Sequence, residues 1–102
     1  MEALLDFVAI NYETVTVADT AVGITSTVTT AGTLRRGQRA LITAETAQMR
    51  YRYDGTVPTT TSGHILEAGQ SIEVIGFASI DAFSIIRTGG TSGTIQVTME
   101  VY

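Results

Sequence analysis

Arg50-Tyr51-Arg52-Tyr53-Asp54-Gly55-Thr56-Val57-Pro58, running on to Gly63-His64-Ile65-Leu66-Glu67-Ala68-Gly69, is the stretch that decides the fold. Charge and aromatic ring alternate at period two. A β-strand would therefore put Arg50 and Arg52 on one face and Tyr51 and Tyr53 on the other. Asp54-Gly55 then stops the strand: glycine tolerates positive φ, and aspartate hydrogen-bonds its own backbone. The segment reads as a strand, a turn, a Thr-rich loop holding the single proline, and a short strand at His64-Ile65-Leu66.

The composition around it agrees. Ile and Val together number 19 against 5 Leu, and Thr alone supplies 18 of the 102 residues. β-branched side chains are stiff at χ1 and fit a pleated, half-buried surface. With 44% apolar residues the chain holds enough hydrophobic surface to fold, and its length suits one domain spanning residues 1–102.

Further strands follow from alternation. Thr14-Val15-Thr16-Val17 alternates cleanly, Arg39 to Thr46 is strong, and Ser71 to Ile75 places Ile72 and Val74 to one side. Arg39–Thr46 and Met49–Tyr53 form either one long strand with a bulge or two strands around a tight corner. Val22-Gly23-Ile24 and the Thr/Ser run to Thr30 form strand or extended loop, and residues 31–37 a turn region. One helical turn fits Ser79-Ile80-Asp81-Ala82. Phe83 to Thr88 is a strand, and Gly89-Gly90-Thr91-Ser92-Gly93 reads as a hairpin loop. Thr94 to Tyr102 alternates almost without fault, with Ile95, Val97, Met99 and Val101 on one face. About eight strands at this spacing predict an all-β, antiparallel sandwich, jelly-roll-like first and immunoglobulin-like second. Residues 1–11, carrying Leu4, Leu5, Phe7, Val8 and Ile10, form an extended arm or an edge strand that pairs with a sheet or a neighbouring subunit.

Little in the chain suggests catalysis. His64 is the sole histidine, with Glu67 the only close acid, and a lone histidine at a strand start is ordinarily structural. Asp54 before glycine is first a turn residue. Paired carboxylates for glycoside hydrolysis and a nucleophile elbow for a serine triad are not recognisable. The Gly89–Gly93 run lies between strands, whereas a phosphate cradle needs a following helix. The expectation is a non-enzyme with no cofactor and no metal. Without Cys there is no disulfide or thiolate chemistry. All six cations are Arg and the net charge is −4, so nucleic acid is not an expected partner. No apolar run approaches a membrane span. The N-terminus lacks the pattern of a signal peptide, so synthesis in the cytoplasm is expected.

The Arg50/Tyr51/Arg52/Tyr53 strand allows three accounts. Tyr51 and Tyr53 pack in or beside the core while the arginines pair with Glu45 or Glu67; or the strand is a protein interface, where Arg and Tyr are enriched; or the tyrosines, with the Thr56–Gly63 loop, stack on a sugar or other ligand. Arg35 and Arg36, beside Arg39, are a solvated turn or a contact for an acidic partner surface.

Residues 39–102 resemble a group of small structural proteins of tailed phages. The resemblance is carried by Ile42-Thr43-Ala44-Glu45-Thr46, by Met49-Arg50-Tyr51-Arg52-Tyr53-Asp54-Gly55-Thr56-Val57-Pro58-Thr59, by Gly63-His64-Ile65-Leu66-Glu67-Ala68-Gly69-Gln70, and by Ile80-Asp81-Ala82-Phe83-Ser84-Ile85-Ile86-Arg87. The first 38 residues take no part. The resemblance implies a virion protein: a capsid decoration (cement) protein on the outer shell, or else a neck- or tail-associated protein. Its partners would be the major capsid protein or other virion proteins, and its own state a homotrimer. Leu4, Leu5, Phe7, Arg35, Arg36, Arg50, Tyr51, Arg52 and Tyr53 are the candidate interface residues. A β-sandwich module binding a glycan or receptor is the competing expectation.

Overall fold

A computed structural model describes residues 8–24 and 39–101. Seven strands and one short helix follow in order: β1 (Val8–Val17), β2 (Arg39–Glu45), β3 (Met49–Arg52), β4 (His64–Leu66), β5 (Ser71–Ile75), α1 (Phe77–Ala82), β6 (Ser84–Arg87) and β7 (Gly93–Val101). They form a four-stranded sheet, β1-β7-β2-β5, and a three-stranded sheet, β4-β3-β6. All pairings are antiparallel. The expected all-β sandwich is the architecture found.

The pairing pattern is nested. β1 pairs with β7, Val22 bridges to Ile85 of β6, β2 pairs with β5, and β3 pairs with β4. Counted with the Val22 bridge as a rudimentary strand, first meets last, second meets second-to-last, and so inward. This is a long antiparallel ribbon rolled on itself, the jelly-roll arrangement. Its tip is the β3–β4 hairpin around Asp54-Gly55. The connections β2–β3, β4–β5, β5–β6 and β6–β7 each cross from one sheet to the other.

This corrects one expectation. Gly89-Gly90-Thr91-Ser92-Gly93 does not close a hairpin, because β6 and β7 lie in different sheets. Glycine in a loop signals a sharp change of direction and carries no information about which strands then pair. A strand, not a helix, follows the loop.

Two other open readings are now decided. β2 and β3 are separate strands around a tight corner, with Thr46 at φ 80° and the chain passing between sheets. Of residues 1–11, read as an arm or an edge strand, residues 8–11 belong to the edge strand β1, whose register slips between Ala9 and Asn11, and residues 1–7 lie outside the described residues. The helix begins two residues before the predicted turn, at Phe77.

The core lies between the sheets. Ala40, Ile42 and Ala44 of β2 stand opposite Met99, Val97 and Ile95 of β7 in register, and all six are fully buried. Met49, Leu66 and Ile85 close it from the three-stranded sheet, with Val17, Val74, Ile80 and Phe83. The alternation that predicted β7's inner face holds at Ile95, Val97 and Met99. Besides the exposed Leu41 and Ile75, the outer face of the larger sheet carries polar side chains linked to one another. Tyr12 and Thr14 hydroxyls donate to Gln96 Oε1, and Gln96 Nε2 and Thr94 Oγ1 donate to Glu45 Oε1 at 2.9 and 3.0 Å. Thr43 and Ser71 share a hydrogen bond of 2.7 Å. Arg39 spans three strands, pairing with Glu100 on β7 at 2.5 Å and with Glu73 on β5 at 3.8 Å.

Candidate functional site

The tip of the ribbon brings together Arg50, Tyr51, Arg52, Tyr53, Asp54 and His64. In β3, Met49 faces the core and is fully buried. Period two then carries the same face outward through Tyr51 to Tyr53 just past the strand end. Tyr51 is half-buried, while Tyr53 is 47% exposed. The tyrosine face predicted from the alternation is therefore the inner face, leaving the core as it reaches the sheet's end.

An aromatic row follows this line. Phe83, buried, lies 5.8 Å from Tyr51, centroid to centroid. Tyr51 stacks on Tyr53 at 6.3 Å and 19° between planes. His64, placed opposite Tyr51 by the β3–β4 register, lies 5.4 Å from Tyr51 and 6.3 Å from Tyr53. Burial, then the neighbouring Tyr53 phenol, push the Tyr51 hydroxyl up from its ordinary pKa.

The arginines occupy the other face, and their partners differ from those expected. Neither pairs with Glu45 or Glu67. Arg50 donates from Nε to the Thr60 carbonyl at 3.2 Å and from Nη1 to the Gly63 carbonyl at 2.7 Å. It holds the Thr-rich loop against β3. Arg52 grips Asp54 with a two-pronged contact, Nε to Oδ1 at 3.1 Å and Nη2 to Oδ2 at 2.5 Å. Asp54 Oδ1 also accepts from the Thr56 amide at 3.2 Å. The Arg52 guanidinium, then the Thr56 amide, hold the Asp54 carboxyl down to about 2. Spacing offered no means of finding these partners: one is two residues away, the others are backbone carbonyls. Glu45 is engaged by Gln96 and Thr94, which lower its pKa, and Glu67 accepts from Gln48 at 2.9 Å.

The loop is drawn in closely. Gly63, at φ 130°, leaves only 3.1 Å between a would-be Cβ and the Tyr51 carbonyl, and 3.2 Å to Pro58 Cβ. Pro58 is buried beneath it. A depression of about 500 Å³ opens beside this packing, lined by Arg52, Tyr53, Asp54, Ser62, Gly63 and His64.

Of the candidate interface residues, Arg50, Tyr51, Arg52 and Tyr53 thus meet at one end of the smaller sheet, on its two faces. Leu4, Leu5, Phe7, Arg35 and Arg36 lie outside the described residues. Among the described residues no group of three or more His, Asp or Glu side chains could hold a metal ion, and no helix is long and apolar enough to cross a membrane. Ser62, within the Thr56–Gly63 loop grouped with the tyrosines from sequence, does line the same depression as Tyr53, and His64, read from sequence as structural, joins them there.

No protein-family model, curated protein or solved structure matches the chain.

Proposed function

We propose that this chain is a non-enzymatic structural protein of a tailed-phage virion, a capsid decoration protein that binds the outer shell and stabilises it. It acts as a homotrimer, with the major capsid protein or other virion proteins as its partners. The observation that carries this reading is how the charges are used. All four arginines among the described residues are engaged within the sandwich: Arg39 with Glu100 and Glu73, Arg50 with loop carbonyls, Arg52 with Asp54, and Arg87 with the Ser92 hydroxyl. Polar chemistry here is spent on rigidity, which a shell component needs. The sequence resemblance over residues 39–102 adds the phage setting. Contacts to the shell would come from the apolar N-terminal segment and an arginine-bearing edge such as Arg35 and Arg36.

Quantitative mass spectrometry of purified virions tests this reading. Hundreds of copies per particle, with particles lacking the protein bursting at lower temperature, are expected. A handful of copies would move the protein to the neck or tail, and its absence from virions would refute the proposal.

A further inference from the structure

We propose that the tip of the three-stranded sheet is a saccharide-binding site. The Tyr53 and His64 rings take the apolar face of a neutral pyranose, and the Arg52–Asp54 pair and the Ser62 hydroxyl take its hydroxyl groups. The inference does not depend on where the protein sits in a particle.

Three observations converge on this chemistry. The first is a stacking surface that is exposed yet supported. Tyr53 is 47% exposed, and its ring rests in a row with Tyr51 and His64 that is anchored in the core through Phe83. A ring held from behind loses little rotamer freedom when a ligand covers it. The second is the arrangement of polar groups. Tyr53, Ser62 and His64 are exposed and line the same depression of about 500 Å³, so their polar atoms face the space a ligand would fill. Arg52 and Asp54 are locked to each other and to the Thr56 amide, so their remaining donors and lone pairs stand at fixed positions. The third is charge. The Arg52 cation and the Asp54 anion cancel at the site, within a chain of net charge −4. A phosphate or nucleic-acid ligand gains nothing from such a field. A neutral molecule with one apolar face and a rim of hydroxyls matches both the rings and the polar pair.

A single open site of this size gives affinity on the order of millimolar, which heteronuclear NMR titration reads well. The probes are the methyl pyranosides of galactose, glucose, mannose and N-acetylglucosamine, with adenosine monophosphate as the competing class. At least one sugar is expected to shift the amides of Tyr53, Asp54, Ser62 and His64 saturably. Tyr53→Ala should weaken that binding about tenfold, and Ser62→Ala should weaken it as well. Tyr12→Ala alters a tyrosine that is 59% exposed on the opposite sheet and should leave binding unchanged. Absence of saturable shifts with all four sugars overturns the proposal. So does tighter binding of the nucleotide, or an equal loss in Tyr12→Ala.

Discussion

Gly93, the first residue of β7, has the least room for a side chain among the described glycines. A Cβ there would lie 2.5 Å from the Glu45 carbonyl oxygen and 2.6 Å from Met49 Cε. The methionine end can yield, but the Glu45 carbonyl belongs to the corner where Thr46 already holds a positive φ. Gly93→Ala is therefore expected to destabilise by about 1–3 kcal/mol, seen as a lower midpoint in thermal unfolding. An unchanged midpoint would mean the corner can retreat. Asp54 gives a second residue-scale prediction. Its carboxyl is held at about 2 against an ordinary 3.8. A carboxylate with a depressed folded pKa contributes stability above its unfolded pKa, and that contribution is lost as pH falls through the folded value. Wild type should be more stable than Asp54→Asn at neutral pH, and the gap should close between about pH 4 and pH 2. The difference will be modest because the pair is exposed to solvent. A gap that persists at pH 2 would assign the effect to the turn backbone instead.

At the scale of elements, alternation told most of the story and partner choice told the rest. The inner face of β7, the tyrosine face of β3 and the Asp54-Gly55 turn were all legible, because period two and turn chemistry are local properties. What escaped was long-range. Arg50 looked ready for a carboxylate, but the loop carbonyls of Thr60 and Gly63 reach it first. Backbone acceptors leave no mark in side-chain sequence. The glycine loop before β7 gave a turn without saying that the chain was changing sheets. Arg50 also supplies a test of what holds the tip together. Arg50→Ala should speed amide hydrogen exchange at Thr59 and Ser62, whose amides bond across the loop, by about tenfold. Core amides in β2 and β7 should exchange as before. Equal acceleration in both would show that the guanidinium supports the whole sandwich and not the loop alone.

At the scale of the molecule, the nested pairing explains how a chain without cysteine holds two sheets together: each half of the ribbon covers the other's apolar face. The candidate site lies where the ribbon folds over, and it is the β3–β4 register that adds His64 to the tyrosines and the loop. The proposed trimer belongs to this scale too. Removing residues 1–6 takes away Leu4 and Leu5 and should weaken self-association while leaving the unfolding midpoint of the dissociated subunit unchanged. Sedimentation velocity across a concentration series measures this. A truncated chain that associates like the full one would rule out the N-terminal segment as a contact.

The pairing order also constrains when folding can occur. β7 sits in the middle of the larger sheet, between β1 and β2, yet it emerges from the ribosome after every other described strand. Until it arrives, β1 has no described partner and β2 is covered on one side only. Contacts this distant along the chain form slowly and late. The sheet cannot be completed strand by strand during synthesis, so a chain cut short before residue 93 lacks the central strand of that sheet. Completion of the larger sheet therefore depends on translation through β7, the strand that pairs with both β1 and β2.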